Sequence, residues 1–262
     1  MLTQEKTYAK VLEYPDGSYD IICSMEKKFA PKVQQPRPPK APEDRQKREK
    51  IQGKAGDVER AMRRARANVR RLALANDFKY FVTLTVDPAK IDSYDVQAVT
   101  RRLSQWLSNR VKRDGLVYVL VPELHKSGRV HYHGFFNDAI EVVDSGHRDK
   151  EGHVIYNLPA WDYGFTTAIE LYGDRHAAVG YTCKYIGKGV QKIGGRWYLS
   201  GGKLNKPVEK FVDITIGELR EMQTEEFTAE YGCGWEKGCP GGLYAGVNGL
   251  GREQFYEIFT GK

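Results

Sequence analysis

His131 and His133 are separated by one residue in the run RVHYHGFF (129–136), whose apolar and aromatic character predicts a β-strand. Side chains alternate along a strand, so both imidazoles leave the same face, roughly 7 Å apart along the chain, and can converge on one cation. Such a triplet also arises by chance, and it gains weight from its context. Glu123 ends the preceding apolar run, and the short turn Lys126-Ser127-Gly128 folds that run back beside the histidines. Two imidazoles and a carboxylate with open coordination positions suit Mg²⁺ or Mn²⁺ and exclude neither Zn²⁺ nor Co²⁺. On a basic chain that set points to Lewis-acid chemistry at phosphate. His125 is close enough in sequence to compete as a ligand, and is assigned to the surface or to nucleic-acid contact.

A second constellation is Tyr181-Thr-Cys-Lys184-Tyr185-Ile-Gly-Lys188. On a helix, Tyr181 and Tyr185 lie one turn apart on one face, with Lys184 and Lys188 one turn apart beside them. A phenol with a pKa near 10 is a poor nucleophile at neutral pH. It becomes competent where a cation polarises the phosphate and ammonium groups meet the developing charge. Aromatics at helical spacing are also common in cores, but the interleaved lysines and Gly187 and Gly189 argue against full burial.

The elements that must position these residues follow from patterning. Residues 6–24 read as a β-hairpin about Pro15-Asp16-Gly17, and 31–54 as a proline-rich basic linker, or an arm lying on nucleic acid. A helix runs from Asp57 to about Ala75. Its apolar stripe is Val58, Met62, Ala65, Val69 and Leu72, and Arg60, Arg63, Arg64, Arg66, Arg70 and Arg71 lie opposite. That lopsided face favours phosphate contact over simple solvation. A strand at 80–86, a helix from about Ser93 to Arg113, strands at 116–121 and 129–136, a polar excursion over 138–160, a short strand at 165–171 and a helix from Arg175 to about Lys188 complete the series. The order predicts an α+β fold, a central antiparallel sheet covered by helices on one side. Past Lys210 come a short acidic helix (216–227) and a glycine-rich tail. The expected organisation is thus a hairpin segment (1–30), a linker (31–56), a catalytic domain (57–210) and a C-terminal extension (211–262).

The chain has 262 residues, a net charge of +7 and four scattered cysteines, expected to be reduced thiols. The charge suits a polyanionic partner. No run is apolar enough to span a membrane and no secretory leader is seen, so a cytoplasmic location and no membrane partner are expected. Trp161 and Tyr163 are either stacking platforms for bases or core residues.

FVTLT (81–85), ELHKSGRVHYHGFF (123–136) and YTCKYIGK (181–188), in that order, resemble the three motifs of the HUH-superfamily rolling-circle replication initiators. The paired tyrosines are similar to the branch that includes the gene A proteins of single-stranded DNA phages and related plasmid and prophage initiators. LPAWDYGFT (158–166) and WYLSGGKLNKP (197–207) also look like segments of that family, so the resemblance covers roughly 78–208. It implies an HUH endonuclease domain with an RRM/ferredoxin-like core. His131, His133 and Glu123 would hold a divalent ion, Mg²⁺ or Mn²⁺, and Tyr181 and Tyr185 would be the nucleophiles, with Lys184 and Lys188 steadying the phosphate. Thr83 and Thr85 would frame the site and contact DNA, together with Arg129, Arg60, Arg63 and Arg64. The implied activity is site-specific nicking of single-stranded origin DNA through a 5′-phosphotyrosyl bond, followed by strand transfer or ligation. No G-x-x-x-x-G-K-[ST] motif is present, so a host helicase would unwind and a host DNA polymerase would extend. The alternatives are an HUH relaxase or transposase, or a non-catalytic DNA-binding copy-control protein of the same fold.

Overall fold

The computed structural model describes residues 6–24, 55–173, 175–186, 192–215, 234–239 and 242–250. Most of the predicted linker, the predicted acidic helix over 216–227, and Gly187, Lys188 and Gly189 lie outside the described residues. The fold is α+β, with three helices and two antiparallel sheets among the described residues, in two compact units, 53–206 and the two chain ends.

In the unit formed by the chain ends, β1 (Lys6–Glu13) and β2 (Tyr19–Ser24) make the expected hairpin. Gly17 takes the left-handed conformation (φ 83°), and the Asp16 carboxylate accepts from the Ser18 amide at 2.9 Å. β10 (Val208–Thr215) joins one edge of this hairpin and β12 (Gly242–Leu250) the other, with β11 (Gly234–Cys239) outermost. The hairpin and the C-terminal stretch, separate segments by sequence, therefore share one five-stranded sheet, and the glycine-rich tail contributes two of its strands.

The larger unit is built on a seven-stranded sheet. Its strands are β3 (Tyr80–Val86), β4 (Tyr118–Leu124), β5 (Val130–Phe136), β6 (Val143–Arg148), β7 (Val154–Asn157), β8 (Gly164–Glu170) and β9 (Leu199–Gly201). Their spatial order is β6-β7-β8-β3-β5-β4-β9, with every pairing antiparallel. β3 and β4 run the same way on either side of β5, and α2 (Val96–Asp114) bridges them. The stretch 138–160 is not a surface excursion. Most of it is the β6–β7 hairpin, which widens the sheet at an edge where almost every β6 side chain meets solvent.

Helices cover both faces, not one. α2 presents Val99, Leu103, Trp106 and Leu107 to Tyr80, Val82, Leu84, Tyr132 and Phe136, closing the main core. Asp95 caps its start by accepting from the Gln97 and Ala98 amides, two residues later than Ser93, and Gly115 (φ 77°) ends it. On the opposite face lie α1 (Ala55–Ala75) and α3 (Arg175–Cys183), where the Phe81 ring meets Tyr181 and Phe135. Trp161 is core, edge-on to Trp106, with its indole N–H on the Thr85 carbonyl at 3.2 Å, so it offers no platform to a base.

β5 approaches β4 so closely at Gly134 that a Cβ there would run into the backbone oxygen of Val119. Gly134→Ala is expected to destabilise the protein by about 1–3 kcal/mol, read as a lower urea midpoint. A midpoint equal to the wild type's would show that the sheet yields there at no cost.

Candidate active site on the sheet face

Register places the chemistry. Thr83 and Val121 face His133 on either side, while Thr85 and Glu123 face His131. Partners in an antiparallel ladder share a face, so these six side chains form two rows across β3, β5 and β4. A third row, Phe81, Phe135 and Val119, lies one step further into the sheet and is apolar. The apolar row packs under the helices and the polar rows emerge at their edge.

His133 is held from three sides. Its Nε2 lies 2.8 Å from Glu123 Oε2, its Nδ1 lies 3.1 Å from Thr83 Oγ1, and its ring stacks on Tyr185 at 4.3 Å with the planes 9° apart. His131 stacks on His125 at 5.2 Å, which brings that exposed ring into the same cluster. Burial first, then the neighbouring His125 and Arg129, hold His131 below the ordinary histidine value against the pull of Glu123. A neutral imidazole keeps the lone pair that ligation requires.

The tyrosines come from the end of α3. The helix stops at Cys183, short of Lys188, and the amides of Lys184, Tyr185 and Ile186 bond three residues back, to Tyr181, Thr182 and Cys183. Tyr185 thereby turns inward onto His133 and is 8% exposed, while Tyr181 stays 50% exposed. Their hydroxyls meet at 2.5 Å, Tyr185 donating. Burial, that hydrogen bond and the Glu123 charge push the Tyr185 phenol well above its usual range.

The arginines of α1 divide into two groups. Arg66 donates through Nε and Nη2 to the Ile186 carbonyl (3.1 and 2.7 Å), and Arg70 Nη2 lies 3.2 Å from His176 Nδ1. These two fasten α3 and the turn carrying Tyr185, a role that a charge count does not reveal. Arg60 and Arg64 are exposed and Arg63 is half-buried. Lys184 is next to the tyrosine motif's buried Tyr185 in sequence and one turn from Tyr181, and Arg129 lies near His131 with its guanidinium 6.0 Å from the Tyr94 ring.

As a donor set, Glu123, His131 and His133 fit a divalent cation. The His133–Glu123 hydrogen bond joins two atoms that are both lone-pair donors once the imidazole proton leaves, and Thr83 Oγ1 can then accept from Nδ1–H to fix the tautomer. A set drawn more tightly together among the described residues is Asp149, Glu151 and His153, whose ligand atoms all lie within 4.8 Å of one another. Its geometry follows from the β6–β7 turn. Asp149 Oδ1 accepts from the Glu151 and His153 amides, and Oδ2 lies 3.0 Å from His153 Nδ1.

An α+β fold with imidazoles, a carboxylate and phenols on one open sheet face defines a protein built for chemistry on a ligand laid across that face. Residues 79–190, somewhat less than half of the chain, match the sequence profile of a family of replication-associated proteins, the ORF2 type. The matched stretch contains β3, β4, β5, β8 and α3, hence every strand and helix of the site. No curated protein and no solved structure matches the chain. The similarity supports a DNA-directed role in replication. Among the described residues no helix is long and apolar enough to cross a membrane.

Cys183, inside the tyrosine motif, is no competing nucleophile. Burial pushes its thiol up to about 11, against the pull of Arg70 and Arg66. At pH 8 about a thousandth of it is then thiolate. Iodoacetamide at that pH is expected to label Cys183 far more slowly in the native protein than in urea. Equal rates in the two states would show an accessible thiolate.

Proposed function

We propose that the protein is a rolling-circle replication initiator that nicks single-stranded origin DNA through a tyrosine. The observation that carries this reading is the contact of the Tyr181–Tyr185 pair with the His-Glu face, Tyr185 lying flat on His133. Glu123, His131 and His133 would hold a divalent ion, Mg²⁺ or Mn²⁺, which when bound supplies Lewis-acid activation of the scissile phosphate. His125 is placed to join them through its stack on His131.

Tyr181 is the hydroxyl open to a strand, and the Tyr185 O–H donated to it offsets negative charge as its proton leaves. Attack by Tyr181 Oη forms a Tyr–O–P bond to the 5′ side and breaks the P–O3′ bond. The phenol gives up a proton and the departing O3′ takes one up, leaving a 3′-OH for a host polymerase. The reverse step, or a second attack by Tyr185, rejoins a strand with no nucleotide cofactor. Lys184 follows Tyr181 by three residues, where it can steady the phosphate, and Lys188 follows on the same segment. Thr83 fixes His133, Thr85 lines the His131 row, and Arg129, Arg60, Arg63 and Arg64 would contact the DNA backbone. A host helicase would supply unwinding. The paired tyrosines favour this reading over a relaxase or transposase.

The test is a labelled origin-bearing oligonucleotide incubated with protein and Mn²⁺, followed by denaturing electrophoresis. Wild type is expected to give an SDS-resistant adduct that EDTA abolishes. His131→Ala should lower its yield by at least about a hundredfold, as should Tyr181→Phe, whereas Tyr185→Phe should retain a first adduct. Absence of any adduct from the wild type in every metal would leave a DNA-binding protein without catalysis. Separately, Thr83→Val is expected to weaken Mn²⁺ binding by about 10- to 100-fold, followed by the EPR signal of free Mn²⁺. Unchanged affinity would remove Thr83 from the support of His133.

A further inference from the structure

Phe165 is 72% exposed, the most exposed large apolar side chain among the described residues. An isolated apolar residue at a surface is ordinary; the position of this one is not. On β8, Thr166 and Ala168 are buried toward α2, so Phe165 and Thr167 take the opposite face. Phe165 pairs with Thr85, Thr85 with His131, and His131 with Glu123. Phe165 therefore lies in the row that carries the candidate ligands, two strands and about 10 Å from His131. Thr83 and Thr85 on β3 and Thr167 on β8 surround it with hydroxyls, and no ring of a described residue stacks on it.

A flat apolar ring, bare to solvent, rimmed by hydroxyls and on a chain of net charge +7, matches one ligand chemistry. A nucleobase offers a planar apolar face attached to an anionic backbone, and every base has such a face. In a duplex those faces are already stacked, so the ring can engage only unpaired bases. We propose that Phe165 is the stacking platform for a base flanking the scissile phosphate, and that through it the sheet face selects single-stranded DNA. This rests on the reading of the face as a DNA-cleavage site. Phe165 acts here as a binding and positioning residue, since its ring has no part in the chemical step.

The test is equilibrium binding of the full chain, in EDTA, to fluorescein-labelled oligo(dT) and to an abasic strand of equal length that keeps the phosphates but lacks bases. Wild type is expected to prefer oligo(dT). Phe165→Ala should lose roughly five- to hundredfold on oligo(dT) with little change on the abasic strand, and Phe165→Tyr should restore the preference. Wild-type binding by Phe165→Ala overturns the proposal. So does an equal loss on both strands, which would assign the ring to folding or to a protein contact. If Phe165→Ala does not fold, Phe165→Trp replaces it: oligo(dT) should quench the added emission and the abasic strand should not, and equal response to both strands is again fatal. Cleavage is not read in these measurements. A base preference without any adduct in Mn²⁺ would keep the platform and remove the nuclease, and an adduct with a Phe165-independent preference would do the reverse.

Discussion

The register of β5 between β3 and β4 is the constraint on which the site depends. Side chains in a strand repeat every two residues, so a slip of one would send His131 and His133 into the α2 core and bring Tyr132 out. Tyr132 is 1% exposed, and its hydroxyl lies 3.1 Å from Thr100 Oγ1 on α2. Phe136 packs on Trp106 from the same side. Burying two imidazoles there without partners would cost several kcal/mol and leave two large aromatic rings in water. The apolar residues of one face thus hold the polar residues of the other in place, and the site takes its precision from a core that it does not touch.

The open face is itself divided, because α1 and α3 reach only as far as the Phe81–Phe135 row. α3 could not lie closer to the histidines without burying Thr83, Thr167 and Glu123, whose polar atoms would lose water. Its last turn is fastened instead by Arg66, whose two N–H groups satisfy the Ile186 carbonyl just beyond the helix end. A guanidinium used in this way holds Tyr185 against His133 while keeping its charge close to the site. Part of the arginine stripe of α1 is thereby structural, and the exposed remainder can meet an anion.

How much could be read from sequence depended on whether the signal was local. YFVTLTV is a strand with the bounds its alternation predicts, since one of its faces is buried throughout. The hairpin about Asp16-Gly17 and the helix after Asp95 were legible for the same reason, being set by turn and cap chemistry within a few residues. β6 was not, because an edge hairpin wetted on both sides has no buried face to impose a period of two. Helices on both faces were hidden too. The α1 arginines read as a solvated or phosphate-facing surface, yet two of them turn to α3. Within the site, the histidines and Glu123 followed from strand alternation and one short turn. Phe165 did not, because nothing in GFTTAIE says that its outward face is left uncovered.

The shape of the tyrosine pair shows what a helical wheel omits. Continued to Lys188 as an α-helix, the chain would hold Tyr181 and Tyr185 one turn apart on a common face, alike in exposure. The three-residue hydrogen bonds after Cys183 tighten the turn and break that equivalence. The rings stand at 88° to each other, one lying flat on His133 and the other projecting toward solvent, and the hydroxyls remain in contact. Two identical side chains consequently have different tasks: the buried phenol is the hydrogen-bond donor, and the exposed one is the group a strand can reach. For them to exchange roles in a second cut, the segment after Cys183 would have to unwind by about a turn. The cost of releasing Tyr185 from His133, and the Ile186 carbonyl from Arg66, then sets the order in which the two tyrosines can act.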